Sequence, residues 1–374
     1  MQATGAVRWN PREAIMPALG YLQQPVRLVR QYDRSFLQPD LLAGITVAVI
    51  LLPQGMAFSL VAGLPPQMGI YTAIVGGIAA GLWGSSKQLH TGPTNAISLL
   101  VLSSLASIAV PGSDSYILAA GLMSVMAGAL QLALGLLRLG VIVNFVSHSV
   151  IVGFATGAAV LIAVGQLGSL FGISAHGSNA ILTLRDVVTG LPNANPATTA
   201  LGLGAILLIL LLQRIDRRLP GPLIALIVAS LAVFLLGDRA SGVAVIGELP
   251  KGLPPIAPLP ITNLGLIAEL STGSLAVAAI GLVQTIAIAR TAATQTGQRL
   301  DSNQQFVSQG MANIFSGVFS GYVTSGSFTR TAVNLRVGAR TPMSSVFASV
   351  FVLIMMFVAA PLGAYLPVSA LSGV

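Results

Sequence analysis

Three long stretches of this sequence, 41–86, 139–184 and 341–374, contain no Asp, Glu, Lys or Arg. A chain that folds in water covers its surface with charge, and roughly a quarter of its residues are charged. Here 7% are charged and 54% are hydrophobic. About 20 mostly apolar residues cross a bilayer as a helix. In lipid the backbone must satisfy its own polar groups, which leaves helices or closed barrels. Barrel strands alternate apolar and polar residues, and these runs do not. The reading is an all-α polytopic membrane protein.

Spans are expected from about Leu41 to Gly63, Met68 to Gly84, Ser115 to Leu137, Val150 to Phe171, Ala197 to Leu212 and Leu223 to Leu236. After an external linker rich in Pro and Gly, more follow from about Ser274 to Ala293, Phe306 to Phe319 and Pro342 to Tyr365. The segment carrying His176, Arg185 and Asp186 reads as a polar loop. With the N-terminus in the cytoplasm and each span alternating sides, only Arg185, Arg239 and Lys251 fall outside. The other bases, from Arg8 to Arg340, fall inside, Arg330 excepted. That bias follows the positive-inside rule. It accounts for the net charge of +8 through the anionic lipid surface, so no nucleic-acid partner is needed. The first 34 residues hold seven charged residues, among them Arg8, Arg27 and Arg34, and no clean apolar core. They read as an amphipathic segment on the cytoplasmic surface rather than a cleaved signal peptide. The localisation implied is the cell membrane. The sequence has no cysteine.

Two short stretches interrupt the pattern. "TGPTNAIS" from Thr91 and "SGSFTRTAVN" from Ser325 each follow an extended piece, carry a glycine (Gly92, Gly326) and open a short helix with hydroxyls. The first helix is expected to begin at Pro93, which suits a first turn because its missing N–H has no partner there. The second is expected from about Phe328. One follows two spans from one side and the other follows two spans from the opposite side, the arrangement of an inverted repeat. Helix N-termini present unpaired N–H groups and partial positive charge, so two of them meeting at mid-membrane form an anion site. Arg330, in the first turn of the second, adds a full charge at membrane depth, where ionisable residues are costly and commonly functional. The alternative is a structural tie to backbone carbonyls. Glu269 is the nearest acid in sequence terms.

In "LLPQGMAF", Pro53 removes a helical hydrogen bond, and Gln54 and Phe58 share a face. They line a small site or simply serve a kink and its packing. Gln284 lies at the edge of a small-residue face formed by Ser274, Ala278 and Gly281. It reaches the same cavity or makes an interhelical hydrogen bond. His90, His148 and His176 are dispersed with no metal-site spacing. No nucleophile–base pair, Walker loop or dinucleotide fingerprint is present, so neither an enzyme nor a cofactor is implied.

The stretches "DLLAGITVAVILLPQGMAFSLVAGLPPQMGIYTAI", "GSSKQLHTGPTNAISLL" and "IAIARTAATQTGQRLDSNQQFVSQGMANIFSGVFSGYVTSGSFTRTAVNLRVGART" resemble the sulfate permease anion transporters, related to the animal solute carrier 26 proteins, over nearly the whole chain. The resemblance implies about fourteen spans in two inverted seven-span repeats. A core domain would comprise 41–138 and 264–365, and a gate domain would begin with 139–237. Residues 1–40 would be the cytoplasmic segment, 238–263 an extracellular linker and 366–374 the start of span 12. The remaining gate spans and the cytoplasmic STAS domain would lie beyond the chain. An anion such as sulfate, bicarbonate, chloride or a dicarboxylate would sit between the two half-helix starts, touching Gln54, Phe58, Pro93, Thr94, Gln284, Phe328, Thr329 and Arg330. Elevator-like motion of the core, in a homodimer, is implied as well. Many microbial members carry an acid where this chain has Gln284, and "NQE" where it has Gln305. An amide cannot titrate near neutral pH, which puts simple cation coupling through Gln284 in doubt. An anion channel or sensor, and a nucleobase or borate carrier of the same fold, are the competing functions.

Overall fold

The computed structural model describes residues 20–141, 148–173, 180–216, 221–237, 242–247, 252–359 and 365–373. Arg8, Arg12, His176, Arg217, Arg218, Arg239 and Lys251, placed by sequence above, lie outside the described residues. A short helix α1 (Gln24–Arg30) precedes the first long helix α2 (Leu37–Val61). α2 runs through Pro53, which leaves the carbonyl of Val49 without its usual helical donor. Next come α3 (Pro66–Tyr71) and α4 (Gly77–Trp83), joined by a π-turn over Thr72–Gly76. Strand β1 (Thr91–Gly92) leads to the short helix α5 (Asn95–Leu105), and α6 spans Asp114–Leu136.

The middle of the chain holds α7 (His148–Phe171), α8 (Ala180–Gly190), α9 (Pro196–Ile215) and α10 (Gly221–Leu236). The second half repeats the opening order: α11 (Leu264–Thr296), α12 (Ser302–Val318), β2 (Ser325–Gly326), the short helix α13 (Phe328–Val337), α14 (Met343–Ala359) and α15 (Val368–Ser372). Two boundaries correct the sequence reading. The segment expected as a polar loop contains α8, whose Ile181, Leu184 and Val188 are exposed. α11 begins ten residues before the expected Ser274, because polar Ser271 and Thr272 and charged Glu269 lower hydropathy without interrupting a helix. By length and composition, α2 (with the turn before it), α6, α9 and α11 can cross a membrane among the described residues. On α9 and α10 the residues Leu207, Leu210, Leu211, Phe234 and Leu235 point outward, a surface suited to lipid rather than water.

The two halves interlock by exchange. α2 packs on α13 and α14 of the second half, and α11 packs on α5 and α6 of the first. α4 likewise meets α14, as α12 meets α6. Small residues permit this closeness, as is usual where helices associate in lipid. A Cβ built on Gly310 of α12 would lie 2.8 Å from the carbonyl oxygen of Gly128 on α6, and one on Gly128 would lie 2.8 Å from that of Gly310. At the start of α2, the buried carboxylate of Asp40 accepts hydrogen bonds from the backbone N–H of Arg340 (2.7 Å) and Thr341 (3.1 Å), the Thr341 hydroxyl (2.5 Å) and the Tyr32 phenol (3.2 Å). It thereby fixes the turn between α13 and α14.

Candidate functional site

β1 and β2 pair antiparallel, Thr91 opposite Gly326 and Gly92 opposite Ser325. The half-helices α5 and α13 leave this two-residue ladder from opposite ends. The start of α5 lies beside Ser325, whose hydroxyl is 3.3 Å from that of Thr94. The start of α13 lies beside His90, whose carbonyl accepts the Ser327 N–H at 3.0 Å. Both helices open from extended residues, Thr94 (φ −137°, ψ 150°) and Ser327 (φ −115°, ψ 123°). Pro93 therefore stands before the helix, not in its first turn as its chemistry alone suggested. α5 starts at Asn95.

Buried extended backbone in a helical membrane protein must find partners for its polar groups. Around β2 it finds them on side chains of the helices. Thr72 accepts the N–H of Tyr322 (2.8 Å), Asn313 that of Thr324 (2.6 Å) and Thr285 that of Gly326 (3.0 Å). Ser316 donates to the carbonyl of Tyr322 (2.6 Å), Gln309 to that of Thr324 (2.8 Å) and Gln284 to that of Gly326 (3.0 Å). Asn313 is held in turn by Gln131 (2.7 Å), and Thr285 donates to Gln309 (3.0 Å). This network holds a ladder between half-helices in one geometry.

Arg330 is 0% exposed. From the first turn of α13 its side chain reaches back across the ladder. Nη2–H donates to the Pro93 carbonyl (2.7 Å), Nη1–H to Gln54 Oε1 (3.1 Å) and Nε–H to His90 Nδ1 (3.3 Å). All three acceptors are neutral, so the guanidinium is hydrogen-bonded but its charge is not cancelled. Two of its five N–H donors, one on each Nη, are left over by these bonds. Glu269 is exposed and lines a separate cavity of about 600 Å³ with Ser103, Ser104, Ser107 and Thr272. The site thus combines a buried positive charge with two helix N-termini, an arrangement that attracts an anion.

The structure joins Gln54, Pro93 and Arg330 by direct hydrogen bonds. Thr94 meets the ladder through Ser325, and Gln284 through Gly326. Phe328 and Thr329 form the exposed opening of α13, and Phe58 lies half-buried one turn beyond Gln54 with no polar link to the rest. Sequence reasoning missed His90 as a partner of Arg330, along with Thr285, Gln309 and Asn313. The last two sit with Gln305 and Ser316 at helical spacing on the buried side of α12, a polar stripe that was readable. Gln305 Oε1 accepts the N–H groups of Ser85 (3.2 Å) and Ser86 (3.4 Å), a role an amide oxygen fills without charge.

Fold and site define a class: a polytopic helical membrane protein in which two half-helices meet at paired extended segments, as in transporters built from inverted repeats. Residues 37–374 match the model of the sulfate permease family, a family of membrane transporters, and the chain belongs to that family. A probable sulfate transporter of Mycobacterium tuberculosis is 33% identical over 344 residues, 91% of this chain and 61% of that protein. Sulfate transporter 2.1 of Arabidopsis thaliana is 33% identical over 97% of this chain and 54% of its own length. The chain spans about half to three-fifths of the length of these relatives. The transmembrane domain of a cyanobacterial bicarbonate transporter, BicA, superposes with a TM-score of 0.83 at 27% identity, over 91% of this chain and 88% of that one. The murine solute carrier 26 family member A9 anion transporter shares the fold, with a TM-score of 0.84 at 22% identity, over 100% of this chain and 64% of that one.

Proposed function

We propose that this chain carries the translocation site of a secondary transporter for small anions, with sulfate as the first substrate to test. The observation that carries the reading is Arg330: fully buried, held by neutral groups alone, and set between the starts of two half-helices. Family membership supports it, as do relatives named for sulfate and a structural neighbour named for bicarbonate. In this reading α2–α6 and α11–α14 form the moving core, and α7, α9, α10 and α15 belong to the gate. The anion is bound by first-turn N–H groups of α5 and α13 and by the free donors of Arg330, with Gln54 and Gln284 at its sides. Elevator-like motion, a homodimer and a cell-membrane location with the N-terminus in the cytoplasm complete the proposal.

The test is uptake into proteoliposomes of labelled sulfate, bicarbonate, chloride and a dicarboxylate, each with and without an opposing anion inside. Saturable uptake accelerated by internal anion supports a carrier. Conductance without counter-transport would identify a channel, and failure of every anion to enter would overturn the reading.

A further inference from the structure

We propose that His90 is the ionisable member of this site: it is neutral while Arg330 is bonded to it, and takes up one proton when a doubly charged anion draws the guanidinium away. A dianion then travels with a proton and a monoanion without one. The inference rests on the anion-transport reading and goes beyond it in naming what sets the charge the site accepts.

The geometry supplies the argument. Arg330 donates Nε–H to His90 Nδ1 at 3.3 Å, so that nitrogen presents its lone pair and the imidazole proton sits on Nε2. His90 is 0% exposed, and its Nε2 has no hydrogen-bond partner. A buried donor left unpaired is costly. The site as it stands carries one formal positive charge, because Gln54, the Pro93 carbonyl and Gln284 are neutral. One negative charge balances it. A dianion leaves one negative charge in excess in a poorly solvating interior. Of the groups bonded to the guanidinium, only His90 can gain a positive charge near neutral pH. An opposite charge within about 4–6 Å favours that form.

Among the described residues, no other charged group on the surrounding elements takes this part. On α2 the only charge is Asp40, about four turns from Gln54 and engaged with the α13–α14 turn. On α11, Glu269 and Arg290 lie about four turns and two turns from Gln284. Arg336 lies about two turns beyond Arg330 on α13. Lys87, on the approach to β1, donates its backbone N–H to Gln298. α5, α12 and α14 contain no charged residue. The Tyr322 phenol, buried beneath the ladder, is bonded to Ser98 (2.9 Å).

The step balances without redox chemistry. As the anion arrives, Nε–H of Arg330 turns from Nδ1 to an anion oxygen. The freed Nδ1 lone pair binds a proton from water, and the new N–H donates to the anion. Release on the far side returns the proton to water and the guanidinium to Nδ1.

Calorimetric titration of sulfate into purified wild-type protein, in two buffers of different ionisation enthalpy, tests this directly, since sulfate is a dianion between about pH 6 and 8. The expected result is uptake of about one proton per sulfate and a Kd that weakens about tenfold per pH unit. Chloride should bind with no proton uptake and no such slope. In vesicles holding a pH-sensitive dye, sulfate entry should acidify the lumen. His90→Asn should weaken sulfate at the acid end about tenfold or more, flatten the pH dependence and abolish luminal acidification. Sulfate binding or entry by the wild type without a proton overturns the role of His90 and leaves the transport reading standing. Failure of sulfate and chloride both to bind and to enter overturns the two together. Should the variant not fold, the wild-type calorimetry decides alone.

Discussion

The two half-helix starts share a backbone plan and differ in chemistry. Thr94 and Ser327 are both extended caps, yet the Thr94 hydroxyl turns to Ser325 and leaves its own helix without a side-chain cap. Ser327 accepts the N–H of Arg330 at 3.4 Å and partly caps its helix. Three residues beyond each cap, the first half places Ile97 and the second Arg330. Both are fully buried. Ile97 packs with Val101, Leu105, Val277 and Ala278, whereas Arg330 reaches back over the ladder. One start thus offers bare dipole and the other a formal charge. The asymmetry places a single charge at the junction instead of two that would repel.

The comparison can be broken most severely at Ile97. Ile97→Arg would bury a guanidinium among apolar residues with no acceptor to meet it, a loss of about 3–5 kcal/mol. The variant should fail to give monodisperse protein in detergent, and a well-folded Ile97→Arg would show that the first start tolerates charge after all. Arg330→Ala removes three charge-assisted hydrogen bonds and the only charge at the junction among the described residues. Anion affinity and uptake should fall about a hundredfold, with Arg330→Lys intermediate because a lysine lacks the fork. Near-normal uptake by a folded Arg330→Ala protein would leave the residue as a structural tie.

Gln284→Glu sharpens the contrast from the side of α11. Its amide donates to the Gly326 carbonyl, and a carboxylate cannot. Uptake should fall about tenfold at neutral pH and recover as the pH is lowered and the side chain becomes a donor again. A variant-to-wild-type ratio that stays constant across pH would remove Gln284 from the support of β2. The smallest effects belong to the caps. Ser327→Ala should cost about 1 kcal/mol and lower the melting temperature more than Thr94→Val, since only Ser327 caps its own helix. Equal shifts in detergent melts would erase the difference drawn between the two starts.

Much of this was legible in the sequence. The charge-free run 41–86 covers most of α2 with α3 and α4, and the glycines before each half-helix mark the extended pieces. The small residues Ser274, Ala278 and Gly281 are buried, as their spacing implied. Other features were not legible, for physical reasons. Hydropathy cannot register α8, an amphipathic helix within a polar segment, or the polar opening turns of α11. Pro93 suits a first turn by its chemistry, but Thr94 stays extended to carry the ladder. His90 acquires its meaning from Arg330, 240 positions away, and no local pattern announces a partner at that distance. Gln284 was placed at the right edge of its helix, but its bond to a backbone carbonyl is visible only once β2 is positioned.

The exchange of helices between the halves also dictates an order of assembly. Asp40 emerges early in synthesis, yet two of its donors are backbone N–H groups about 300 positions later. The Pro93 carbonyl waits almost as long for Arg330. Until the second half is made, the first half holds a carboxylate and extended backbone whose partners do not yet exist. These groups must stay wet or shielded at the insertion machinery, because lipid would leave them unsatisfied. The first repeat therefore cannot mature in the bilayer by itself, and the second closes both.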